Sequence, residues 1–308
     1  MSQASLAKPP RSAEKSAAAT VLSMLWRDKL AFVSVIVLLF VFLCALLGPA
    51  LLGDLATDQN LRGRNSPPFD LSRGWAFVLG GDALGRPMLA RLIYAARSTM
   101  LVAAGAVIAS LIVGALFGLV AGYMGKTVSQ VIMRLADVIM SFPSLLIAVV
   151  VLYVLGPSIL NMILVLAITR IPIYLRTTRA EVLEVRERMF VQAAIVMGAS
   201  HWRIIGRHIL PQVAPTLITI ATLDFAFVML AESSLSFLGI GIQPPDVTWG
   251  LMVSQGRPYL GNAWWLAFWP GLCIVITTLA LNLLSNWMRV ALDPAQRWRL
   301  EARSTTDE

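Results

Sequence analysis

From its first third onward, the chain alternates long uncharged apolar runs with short basic connections. A bilayer core about 30 Å thick takes roughly 20 apolar helical residues to cross, so the runs predict membrane spans. Residues 30–53 carry no charge and follow Arg27 and Lys29. This run is too long for the core of a secretion signal, and no small-x-small cleavage site follows it, so it reads as an uncleaved first span. Residues 98–125 form the second span. Gly114, Gly118 and Gly122 recur there at four-residue spacing along one helix face, where small residues let neighbouring helices approach closely. Residues 138–169 are uncharged throughout, too long for one ordinary span. Gly156-Pro157-Ser158 divides that stretch, because proline removes a helix donor and glycine adds backbone freedom. The division gives spans at 138–155 and 159–175. The latter carries Arg170 near its end, where a long side chain is expected to snorkel to the interface. The fifth span, residues 214–237, contains Asp224 and Glu232. The sixth, residues 265–288, opens on Trp264, Trp265 and Trp269, as an interfacial aromatic belt would. An amphipathic stretch at 87–97 is expected to lie on the outer surface ahead of the second span.

These spans predict an all-α, polytopic membrane protein. Residues 1–29 and 290–308 are tails, and residues 30–289 are the transmembrane domain. Within that domain lie outer loops at 54–97 and 239–263 and a long connection at 176–211. Composition agrees: 57% of residues are apolar and only 14% are charged, with mean hydropathy +0.75, against about a quarter charged in soluble domains. That balance excludes a soluble enzyme, a disordered chain and a disulfide-stapled module. The net charge of +8 does not call for nucleic acid. Six spans place both ends on one side, and that side holds 18 of the 25 Lys and Arg residues. By the positive-inside rule both termini face the cytoplasm.

Candidate chemistry is mostly missing. Gly80 to Gly85 has phosphate-loop glycine spacing but continues Arg86-Pro87 where Lys-Ser/Thr belongs, and Gly125-Lys126-Thr127 has the ending without the first glycine. His201 and His208 are the only histidines and lack partners at metal-ligand spacing. No nucleophile–base–orienter set is visible. The expectation is a non-enzyme with no catalytic residue, no metal site and no cofactor of its own.

The 176–211 connection carries the most information. Apolar residues recur with helical period at 190, 191, 194 and 195 and again at 204, 205 and 209. Gly198-Ala199-Ser200 interrupts them, with Gly198 suited to a positive-φ turn and Ser200 to a helix cap. Two short amphipathic helices folded on each other result. Periodicity alone leaves them equally a pair lying on the membrane surface or a plug for a groove in a cytoplasmic partner.

This segment resembles the signature loop of bacterial ABC importer permeases: Ala193-Ala194, a glycine four residues on at Gly198, then His208-Ile209-Leu210-Pro211, with Gln192 where the family has Glu. Gly81-Asp82-x-x-Gly85-Arg86, Tyr94-x-x-Arg97-Ser98, Arg134-x-x-Asp137, Phe142-Pro143, Glu232-x-x-Leu235-Ser236-Phe237-Leu238-Gly239, Gln243-Pro244-Pro245, Trp249-Gly250 and Leu292-Asp293-Pro294 resemble, in order, the second permease of peptide/nickel/opine importers. Pro87, Asn286 and Val290 depart from the family's acidic residues at those places. The resemblance implies a subunit in the bacterial inner membrane that pairs with a related permease. It further implies two ATPase subunits carrying ATP and magnesium, and an extracytoplasmic solute-binding protein. Its coupling helix would span Phe190 to His208 and include Gln192, Ala193, Ala194, Gly198, Ala199 and Ser200. It implies ATP-driven import of short peptides, with glutathione, opines or chelated nickel as other cargoes. A channel or secondary carrier working without an ATPase is the alternative of another class.

Asp224 and Glu232, about 80° apart around one helix, either line a pathway or gate or pair with neighbouring helices. Tyr153 and Asn161 are further pathway candidates. Trp249 and Arg257 are expected to face the binding protein, and membrane lipid surrounds the whole.

Overall fold

The computed structural model describes residues 24–292, and among these the only strand pairing is an isolated bridge between Gly81 and Pro87. Helix α1, Lys29–Thr57, starts at Asp28, whose carboxylate accepts the Ala31 amide at 3.1 Å. Leu39, Phe40 and Phe42 of α1 are exposed, as they would be toward lipid.

Helix α2 is a single rod, Met88–Tyr123. The stretch at 87–97 is therefore not a separate surface helix. Pro87 sits just before the first turn and no breaker follows it, so the helix runs unbroken into the predicted span. The predicted third span also differs. Helix α3, Gly125–Met140, and helix α4, Ser144–Leu155, meet at 80°. Pro143 lies in the break, where its ring and missing N–H stop a helix from passing through. Alone, α4 rises only about 18 Å, too little to cross. The described residues thus contain five helices long and apolar enough to span, or six with the bent pair taken as one.

Helix α5, Ile159–Arg186, begins at Ser158, whose hydroxyl accepts the Asn161 amide at 3.1 Å. It continues 11 residues past the predicted end of its span, because nothing between 175 and 186 breaks it. Helix α6, Met189–Val196, turns back at Gly198 into α7, His201–Ile204. A π turn over Ile205–Ile209 then joins α7 to α8, Leu210–Phe237. The fifth span is therefore the far end of a 37-residue rod, His201–Phe237. Pro211 explains the π turn: it cannot donate to the Arg207 carbonyl, and the Leu210 amide reaches back five residues to Ile205 instead.

Helix α9, Trp249–Gly256, is a short element in the second loop, and α10, Trp265–Leu292, is the last element of the described residues. The tryptophan belt holds only in part. Trp264 is exposed, but Trp265 turns inward and donates Nε1–H to the Gly81 carbonyl at 3.2 Å.

Packing divides the molecule into two ends. A central cluster built on Ala96, Val102, Met162, Val228, Met229 and Trp249 reaches the loop end, where residues 54–87 and 238–264 gather. A second cluster, with Leu119, Tyr174, Val182, Val191, Ile204 and Ile209, lies at the hairpin end under α6 and α7. The glycine stripe of α2 joins them by packing on α5. A Cβ at Gly114, Gly118 or Gly122 would lie 2.5–2.6 Å from the Cβ of Tyr174, Thr178 or Val182, respectively. Only a hydrogen at those positions permits this approach.

Candidate functional site

The helical hairpin is built as its sequence requires. Gly198 takes φ +79°, the left-handed value that favours glycine. Its amide bonds the Ile195 carbonyl at 2.9 Å, and the Ala199 amide bonds the Ala194 carbonyl at 3.0 Å, closing the end of α6 in a Schellman turn. Ser200 stands at the α7 cap position, but its hydroxyl makes no capping bond. Val191 and Ala194 face inward and are buried with Ile204 and Ile209. The opposite face is bare: Met189 is 88% exposed, Val196 86%, Met197 80% and Trp202 77%. Phe190 and Ile195 extend this apolar surface, and Gln192, Ala193, Gly198 and Ser200 are also exposed. Ala199 and His208 are half-buried.

Several contacts fix the hairpin to the bundle. The Tyr123 hydroxyl lies 3.0 Å from His201 Nδ1, and the Gln192 amide donates to the Arg186 carbonyl at 3.0 Å. The Phe190 and His208 rings stand 6.3 Å apart, tying the two arms. The predicted set from Phe190 to His208 is thus gathered in one structural unit. Of its members, Ala194 belongs to the inner layer and cannot itself touch a partner.

The intramembrane acids lie inside this chain rather than on its surface. Arg170 of α5 does not snorkel. Its guanidinium pairs with Asp224 of α8, lies 4.2 Å over the Phe227 ring, and leaves Asp224 buried. A charged pair inside the bundle costs less than an isolated carboxylate there. Tyr174 donates its hydroxyl to the second Asp224 oxygen at 3.1 Å. Glu232, fully buried, accepts the Ser236 hydroxyl at 2.7 Å and the Ser233 hydroxyl at 3.4 Å, both from its own helix. Asn161 spends its amide on the Leu155 and Gly156 carbonyls at 3.1 and 2.9 Å, capping α4, while Tyr153 is almost fully exposed. These four share no common surface of the chain.

At the loop end, Trp249 does not face outward. Its amide bonds Thr99 Oγ1 at 3.1 Å, and its indole donates to the Leu92 carbonyl at 2.9 Å, pinning α9 to α2. Arg257 is exposed, 5.7 Å from the Phe237 ring. Sequence reasoning passed over the knot at Asp82. Its carboxylate accepts the Leu84 and Arg86 amides, Arg86 Nε at 2.7 Å and the Arg91 guanidinium at 2.5 Å. An arginine at the fourth residue of the helix, within the otherwise apolar run 88–93, was the available signal.

Comparison with known proteins follows the same outline. The family model described as binding-protein-dependent transport system inner membrane component matches residues 114–298. The model described as N-terminal TM domain of oligopeptide transport permease C matches residues 16–68. The chain is 40% identical over 258 residues to a di/tripeptide transport system permease protein of Pseudomonas aeruginosa, covering 83% of this chain and 85% of that one. It is 33% identical over 296 residues to a probable D,D-dipeptide transport system permease protein of Escherichia coli, covering 96% and 97%. Against the dipeptide transport system permease protein of Bacillus subtilis, identity is 35% over 272 residues, covering 88% and 83%.

Proposed function

Starting from the family of binding-protein-dependent transport system inner membrane components, to which this multi-pass chain belongs, we propose that it is the translocation subunit of an ATP-driven importer of short peptides. The peptide class rests on the names of its relatives. The mechanism rests on one observation: an apolar hairpin face of Met189, Phe190, Val196, Met197 and Trp202 left bare at one end of the bundle, above a packed inner layer.

On this reading the hairpin seats in a groove of an ATPase subunit in the cytoplasm, and both termini lie on that side. ATP and magnesium are held by two such subunits, not by this chain. Closing of the ATPase pair moves the hairpin. Because α7 runs through the π turn into α8, the movement passes directly into a membrane span. Coupling of this kind needs contacts that differ between two global states. The exposed apolar flank of the bundle takes a related permease, and the loop end receives a solute-binding protein, with Arg257 available for contact.

The test uses the exposed positions Met197→Cys and Ser200→Cys in the full chain. Crosslinking in membranes is expected to capture a nucleotide-hydrolysing subunit from both positions, with a yield that changes when ATP is trapped. Capture of no such subunit from either position overturns the reading.

A further inference from the structure

At the hairpin end, α2, α3 and α5 enclose a niche of about 520 Å³ that the coupling surface does not use. Lys126 and Ser129 of α3, Arg179, Leu183 and Arg186 of α5 and Gly122 of α2 line it, and no carboxylate does. Among the described residues, Arg179 spends one donor, Nε, on Ser129 Oγ at 2.7 Å, and Lys126 spends none. Arg186 bonds Glu187 at 3.2 Å and reaches the Gly122 carbonyl at 3.5 Å. The N-terminus of α3 opens beside Lys126 with no side-chain cap and no acid in its first turn. Its free amides add positive potential to that of Lys126 and Arg179, while Arg186 is paired with Glu187.

Depth narrows the occupant. From Ile159, the 20 residues of α5 to Arg179 rise about 30 Å, one hydrocarbon thickness, and Arg186 lies about 10 Å further on. With Ile159 at the far edge of the hydrocarbon, the cations sit at headgroup level. We propose that this niche binds the phosphate headgroup of an anionic phospholipid. The orientation proposed above makes this the cytoplasmic leaflet, and headgroup binding itself does not depend on it.

The experiment is native mass spectrometry of the full chain purified from detergent containing equal phosphatidylglycerol and phosphatidylcholine. The wild type is expected to retain phosphatidylglycerol at least tenfold over phosphatidylcholine. Lys126→Gln should cut that preference about fivefold, and the Lys126→Gln/Arg186→Gln pair should cut it further. Lys126 is exposed, so the single variant keeps the fold, and Lys126→Arg should restore the preference. Arg203→Gln/Arg207→Gln, on the hairpin, should leave it unchanged. Equal retention of both lipids by the wild type overturns the proposal, and so does an equal loss in the hairpin pair. Displacement of the lipid by millimolar inorganic phosphate identifies a free-anion site and overturns it as well. None of these readouts involves transport, so failure here is separable from failure of the coupling reading.

Discussion

Gly198 is the smallest part of the proposed coupling surface and the least replaceable. Nothing lies within 4 Å of where its Cβ would be, so a side chain fits, but φ of +79° costs a non-glycine residue about 1–2 kcal/mol. Gly198→Asp is expected to reach the membrane at wild-type level, judged by immunoblot, while uptake of a labelled dipeptide falls to background. Normal uptake would remove the lever role of the hairpin. The Arg170–Asp224 pair obeys different arithmetic. Asp224→Asn leaves a cation half-enclosed without its partner and is expected to cost about 3–5 kcal/mol in detergent unfolding. Joint replacement, Arg170→Met with Asp224→Leu, should recover most of that loss. A double variant as unstable as the single one would show that the two charges do not stabilise each other.

Between elements, the α2–α5 contact is governed by its three stripe glycines. Gly118→Leu would press a branched side chain onto Thr178 Cβ and the Leu175 carbonyl, and is expected to destabilise the chain by about 1–3 kcal/mol or part the helices. Gly271→Ala in α10 serves as the contrast. It has nothing within 4 Å and lies in a helix, so it should be neutral or stabilising by up to about 1 kcal/mol. Thermal unfolding of the two variants side by side checks both. At this scale the sequence was legible wherever a rule is local. Four-residue glycine spacing announced the α2 face, and Ala194 to Gly198 announced the hairpin turn. Span ends were not legible, because a change from apolar to charged residues marks where lipid stops, not where a helix does. Helix α5 runs 11 residues past its predicted end and stops at Arg186 with no glycine or proline there, and α8 reaches back before residue 214. The bend at Pro143 was hidden inside an uncharged run. The partner of Arg170 lies 54 residues away, and the inward turn of Trp249 depends on Thr99 and Leu92. Such pairings follow from how two helices are rotated against each other, which no single segment encodes.

For the molecule as a whole, the distribution of polar groups separates two tasks. The loop end is cross-braced by the Asp82 knot, by Trp249 on Leu92 and by Trp265 on Gly81. The hairpin end is held by a small apolar cluster and a few hydrogen bonds. Hydrogen exchange is expected to be slowest in the loop-end half of α2 and fastest in α6. Uniform protection would contradict that division. The unbroken rod His201–Phe237, about 55 Å from tip to tip, has one more consequence. A stiff shaft carries force both ways: whatever grips its foot must feel what happens at its middle. Loosening Asp224 should therefore alter how tightly the proposed ATPase partner holds the hairpin, some 35 Å below, by the same factor with which that partner's grip reshapes the pairing of Asp224.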